Sequence, residues 1–156
     1  MSSNIPCKDR WYEDFSVGES FTLGSIRMDA EEMLDFSTRF DPQRFHIDAA
    51  AAADTIYGSL IASGWHTGSL MMRLLAEGFL GEASQGPVGI SEVTWPSPVR
   101  AGDTLTLRVE VLSKRVSRSR PDIGFIEISN EMINQDGDVA MRTVPTMIIA
   151  RRDAVA

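Results

Sequence analysis

Hydrophobic periodicity changes once along this chain, from helical spacing in the first half to strict alternation in the second. After the opening Trp11-Tyr12-Glu13-Asp14-Phe15, a short strand is predicted over 20–25. Asp29 then makes a good N-cap, and Glu31 and Glu32 stand in the first turn, where the helix dipole favours them. Met33, Leu34, Phe36, Ser37 and Phe40 give this helix one apolar face. Asp41-Pro42 ends it, because proline lacks a backbone donor and disfavours helix in the residue before it. Residues 47–54 include five consecutive alanines, which form helix at little side-chain entropy cost. Gly58 and Gly64 bracket the approach to the longest apolar helix, predicted over about 65–80. Leu70, Met71, Leu74, Leu75, Ala76, Phe79 and Leu80 cover much of its circumference, which predicts burial.

Downstream the period becomes two. A strand over 88–95 is followed by the Pro96-Ser97-Pro98 break. The segment 103–115 alternates at Leu105, Leu107, Val109 and Val111, and 124–134 alternates through Phe125 or Ile126, Ile128 and Met132. Asp136-Gly137 marks a turn into 138–151, where Pro145 predicts a bulge or an edge position. One buried helix followed by about four antiparallel strands predicts an α+β domain, a curved sheet wrapped around the helix. The open edge of such a sheet needs covering, and pairing with a second copy is the usual solution, so a homodimer is expected.

Composition narrows the class. The 156 residues fit one domain, with residues 1–9 expected as a flexible tail. No segment is apolar enough to span a bilayer, and the first ten residues lack the apolar core of a secretory signal. A single cysteine, Cys7, forms no internal disulfide, which predicts a reducing cytoplasm. A net charge of −7 argues against nucleic acid or anionic membrane as a general partner. Lys114, Arg115, Arg118 and Arg120 nevertheless cluster, either as a solvated hairpin tip or as a site for a phosphorylated ligand.

Candidate chemistry centres on Asp41 and His46. Five residues apart, their side chains diverge on both a regular helix and a regular strand. Only a break such as the one at Pro42 lets a carboxylate and an imidazole converge for proton transfer. The bland alternative is a capping carboxylate beside a histidine bonded to the backbone. Asp48 reads as the cap of the alanine-rich turn. His66, the other histidine, reads more simply as a packed residue than as a reacting one. Two histidines without nearby cysteines make a poor metal site, and Asp48 matches no compact metal motif. Gly64, at a helix start, carries unsatisfied N–H character and no Cβ, so a carbonyl oxygen could approach its backbone closely. The chain has neither glycine-rich nucleotide motif.

Asp41-Pro42-Gln43-Arg44-Phe45-His46-Ile47-Asp48, followed by Gly58-Ser59-Leu60-Ile61-Ala62-Ser63-Gly64-Trp65-His66-Thr67, resembles the MaoC-like dehydratases, relatives of the (R)-specific enoyl-CoA hydratases. The resemblance extends to Arg100-Ala101-Gly102-Asp103 and Ser119-Arg120-Pro121-Asp122. It implies the hot dog fold and the reversible addition of water to a trans-2-enoyl thioester. Asp41 and His46 would hold and activate the water, and the Gly64 N–H would polarise the thioester oxygen. Gln43, Phe45, Ser63, Trp65 and His66 would contact the substrate. The acyl chain would run along the long helix, and Arg115, Arg118 and Arg120 would meet the CoA phosphates. No metal or organic cofactor is implied, since CoA arrives as part of the substrate. The chain departs from the family at three places: Gln43-Arg44-Phe45 replaces a common Asn-Pro-Leu, Ser63 replaces a common histidine, and Met72 stands where a supporting serine is expected. The alternatives on the same fold are a thioesterase, for which Glu77 is the only acidic residue within the long helix, and a non-catalytic acyl-thioester binder.

Overall fold

A computed structural model describes residues 4–152. Its core is a five-stranded antiparallel sheet formed by β1 (Ser20–Arg27), β2 (Ser84–Thr94), β3 (Thr104–Val116), β4 (Ile123–Ile133) and β5 (Val139–Ala150), in the order β1-β3-β4-β5-β2. The alternating residues of β3, Leu105, Leu107, Val109 and Val111, are fully buried. On β4 the inward register is taken by Ile126, Ile128 and Met132, not by Phe125. The helices α1 (Ala30–Phe40), α2 (Arg44–Ile47), α3 (Ala49–Ala53) and α4 (Gly64–Gly78) lie between β1 and β2 in the chain. α4 sets Leu70, Met71, Leu74 and Leu75 into the core against the sheet. This is the hot dog arrangement.

Several expectations change in detail. α4 is buried along one side only: Trp65 is 60% exposed and Met72 49% exposed, flanked by Arg73 and Glu77, which pair with each other at 3.0 Å. The helix therefore presents a half-apolar flank to solvent beside the edge strand β2. α1 buries only Met33 and Ser37. Leu34 and Phe40 face outward, with the Phe40 ring packed against Phe36 and the Arg39 guanidinium. Pro145 lies in β5, an interior strand, so the edge reading fails. Its missing N–H is accommodated by the partner strand, where the β2–β5 register slips on either side of the Ile90–Pro145 pair.

The expected N-terminal tail is folded from Cys7 onward. Cys7–Asp9 form a 3-10 turn, and Cys7 packs against the core. The Lys8 carbonyl oxygen sits 1.6 Å from where a Cβ on Gly81 would stand, so only glycine admits the close approach there. Residues 1–3 of that expectation lie outside the described residues. Among the described residues, no helix is long and apolar enough to cross a membrane.

Candidate active site

α1 ends where the sequence breaks it. The Asp41 N–H still bonds to the Ser37 carbonyl, but Asp41 has left the helical conformation, with φ −150°. Pro42 and Gln43 redirect the chain, and the single turn of α2 brings His46 back against Asp41. The break thus falls at the expected place, although His46 itself stands on a helical turn and not in an irregular loop. Reorienting the axis between the two residues removes the divergence that one continuous helix would impose.

The His46 ring is buried and doubly anchored. Its Nδ1 lies 2.8 Å from the Ile61 carbonyl oxygen, which can only accept, so Nδ1 carries the proton. Nε2 therefore faces Asp41 Oδ2, at 3.2 Å. The backbone bond proposed as the bland role of this histidine exists, and it orients the ring toward the carboxylate.

Asp41 is held from three sides. Gln43 Nε2 donates to Oδ1 at 2.7 Å, and Ser63 Oγ donates to Oδ2 at 2.7 Å. Partial burial is the largest single influence on its pKa and raises it. The Gln43 and Ser63 hydrogen bonds and the His46 charge together outweigh burial and hold the pKa below the usual carboxylate range. Asp41 is thus ionised at neutral pH. Ser63 is completely buried as the N-cap of α4, its Oγ also accepting from the Trp65 N–H at 3.3 Å. One hydroxyl thereby ties the carboxylate to the start of the long helix. Ser63 and Gln43, both expected to contact substrate, each support Asp41.

Gly64 opens α4, so its N–H is one of the unpaired helix-start donors, and no described residue accepts from it. A Cβ there would lie 2.5 Å from Trp95 Nε1, which donates to the Gly64 carbonyl at 3.0 Å. The room left by the missing side chain is filled by an indole. Asp41, His46 and Gly64 open on one cavity of about 340 Å³, which Gln43, Phe45 and Trp65 also line. Tyr57, Thr67, Trp95 and Val99 are among its other lining residues and were not singled out from sequence. The rigid Trp95-Pro96-Ser97-Pro98 stretch was the available signal, since such a segment can hold an aromatic wall in place.

Other candidates lie elsewhere. His66 points away from this cavity: its ring stacks on Phe36 at 4.8 Å, and Nε2 is 3.6 Å from Glu32 Oε1. Burial pushes its pKa down and Glu32 offsets this only in part. It is a packed residue joining α1 to α4, not a substrate contact. Arg44 is exposed at the start of α2 and does not line the cavity. Met72 lies on the open flank of α4, so hydroxyl support for Asp41 comes from Ser63 at the helix start. Arg115 pairs across the sheet with Phe125, and Phe125 with Ile148, whereas Ala140 of the same strand lines the cavity. Those strand ends are about 26 Å apart at 3.3 Å per residue. Arg115 stacks over Phe125, and Arg120 forms a two-pronged pair with Asp122. Within one chain, Arg115, Arg118 and Arg120 do not meet the reaction centre. Glu77 lies about 20 Å along α4 from Gly64 and pairs with Arg73 on the solvent side.

A proton-transfer pair and a free helix-start N–H lining one cavity, on a hot dog sheet, define a hydratase or dehydratase type of site. The profile of the MaoC like domain matches residues 14–131, and the chain belongs to that family. It is 38% identical to the crystal structure of the MaoC-like dehydratase from Rhodospirillum rubrum, with a TM-score of 0.86 over 92% of this chain and 98% of that one. It is 26% identical to the (R)-hydratase from A. caviae involved in PHA biosynthesis, with a TM-score of 0.70 over 86% of this chain and 97% of that one. It is also 29% identical to the uncharacterized protein YdeM of Bacillus subtilis over 79% of this chain and 86% of that one.

Proposed function

We propose that this protein hydrates trans-2-enoyl thioesters, most naturally CoA esters, and dehydrates the corresponding 3-hydroxyacyl thioesters. The observation that carries this reading is the convergence of Asp41, His46 and Gly64 on one cavity. With a water held by both Asp41 and His46 Nε2, the carboxylate takes a proton as the water oxygen bonds to C3. Negative charge then collects on the thioester oxygen, where the Gly64 N–H meets it. Return of a proton from the pair to C2 completes the addition, and the reverse sequence expels water. Atoms balance without a metal or organic cofactor.

Two copies of the chain complete the reading. β2 is an edge strand with Val88 and Ile90 exposed, beside the open flank of α4. Pairing there covers both. Arg115, Arg118 and Arg120 serve CoA phosphates only if they reach across such a dimer.

Hydration of crotonyl-CoA and longer enoyl-CoAs tests the function. Asp41→Asn and His46→Ala should fold normally and lose about 10²–10⁴-fold in kcat. Wild-type protein that binds these thioesters without turning them over would make it a non-catalytic binder. Turnover unchanged in both variants would remove the pair from the mechanism.

A further inference from the structure

A second cavity lies on the other side of Trp65, which lines both. It runs between the open flank of α4 and the β2–β5 end of the sheet, walled by Met71, Met72, Leu75, Ile90, Met141 and Met147, and it also measures about 340 Å³. Apolar, and sharing the Trp65 indole with the reaction chamber, it is placed to receive whatever extends from the thioester.

One group does not belong in such a lining. Asn130 stands on the inward face of β4 between Ile128 and Met132, where strand alternation calls for another apolar side chain. It is 1% exposed. Its Nδ2 donates to Thr143 Oγ1 at 3.1 Å, and Thr143 Oγ1 faces Met71 Sδ at 3.6 Å. Asn130 Oδ1 has no partner among the described residues. Rotating the amide exchanges the two ends without satisfying both. A buried amide end left unpaired is destabilising, a penalty that a leucine of similar shape would avoid.

We propose that this slot takes acyl chains bearing a hydroxyl group, and that Asn130 is the residue that selects them. A hydroxyl both donates and accepts, so it satisfies either orientation of the amide. Met71, beside Thr143, is about 10 Å along α4 from Gly64 at 1.5 Å per residue. The recognised hydroxyl therefore lies several carbons beyond the thioester, well away from the reacting double bond. A plain alkyl chain fills the slot but leaves the amide end as unpaired as it already is, whereas a chain hydroxyl supplies the missing partner. This inference rests on the acyl-thioester reading above, and extends it from the reaction to the kind of chain.

Saturated acyl-CoAs cannot be hydrated, so they report on the slot alone. Calorimetric titration of the wild-type protein with octanoyl-CoA and its 6-, 7- and 8-hydroxy derivatives should show at least one hydroxylated ligand binding tenfold or more tightly than the plain chain. Asn130→Leu should abolish or reverse that preference. Equal binding of all four ligands, no saturable binding of any, or a preference that survives Asn130→Leu would overturn the proposal. If the variant fails to fold, the wild-type comparison still decides. A parallel hydration assay separates the two readings: turnover without hydroxyl preference defeats only the role of Asn130. Hydroxyl-selective binding without turnover defeats only the hydratase.

Discussion

The two cavities that meet at Trp65 are opposites in construction. The reaction chamber is built from chain breaks and helix starts, the places where backbone groups and short polar side chains are free to converge. Its carboxylate is bonded by Gln43 and Ser63, and its histidine is pinned by a backbone carbonyl. The slot is built from the middles of regular elements, where alternation and helical spacing supply an apolar wall. Its buried amide, Asn130, has an unmet group. Orientation of reacting groups is therefore complete before a ligand arrives, whereas the slot leaves its polar pairing to the ligand. Preorganised groups in the chamber serve rate, and the slot serves choice of substrate.

Substitutions at the boundary separate these roles. The largest effect is expected from Gly64→Ala, whose Cβ would meet the Trp95 indole at 2.5 Å. Displacing the wall or the helix start by an ångström should cost about 10²-fold in kcat, since reacting groups tolerate little misplacement. Binding of saturated octanoyl-CoA should change much less. A Gly64→Ala enzyme with wild-type turnover would show that the Trp95 indole gives way without disturbing the helix start.

Ser63→Ala should act more gently, lowering kcat/KM by about tenfold through the loss of one charge-assisted hydrogen bond. Its sharper signature is in pH. Asp41 works as a base when ionised, so activity falls as pH drops through its depressed pKa. Removing the Ser63 bond lets that pKa rise, so the acid limb of the kcat/KM profile should move to higher pH. A limb that stays in place would reduce Ser63 to a helix cap.

The smallest effect is expected in the slot. Met72→Trp adds bulk to the wall without touching Asp41 or His46, and should raise KM severalfold for decenoyl-CoA while leaving crotonyl-CoA unaffected. Equal changes for both substrates would mean that the slot and the chamber are not used in series.

Much of this was legible in the chain, and the limits have physical causes. Asp29 and Asp48 cap α1 and α3 as read, because capping depends on neighbours two or three residues away. The alternation of β3 identified four buried residues, because one buried face enforces a period of two. The Asp41–His46 pair was found because Pro42 announces a break that lets them meet. Burial all round α4 was misread because the sequence shows that residues are apolar, not which of them a neighbour covers: Met72 is as apolar as Met71, yet only Met71 faces the sheet.

The sequence by itself therefore determined the elements, their caps, the break and the residues able to transfer protons, since these follow from short-range sterics and periodicity. Only the tertiary structure decided which partners those groups acquire. Ser63, 22 residues from Asp41, became its support, and Trp95, 31 residues from Gly64, became the wall over it. His66 turned to Glu32 and Phe36 and left the site. The basic cluster fell at the far end of the sheet, because strand register carries Arg115 away from Ala140. Such pairings join residues distant in the chain, and no local preference encodes them. Asn130 became noticeable only once the sheet had turned it inward, where Thr143 pairs with one end of its amide and no described residue pairs with the other.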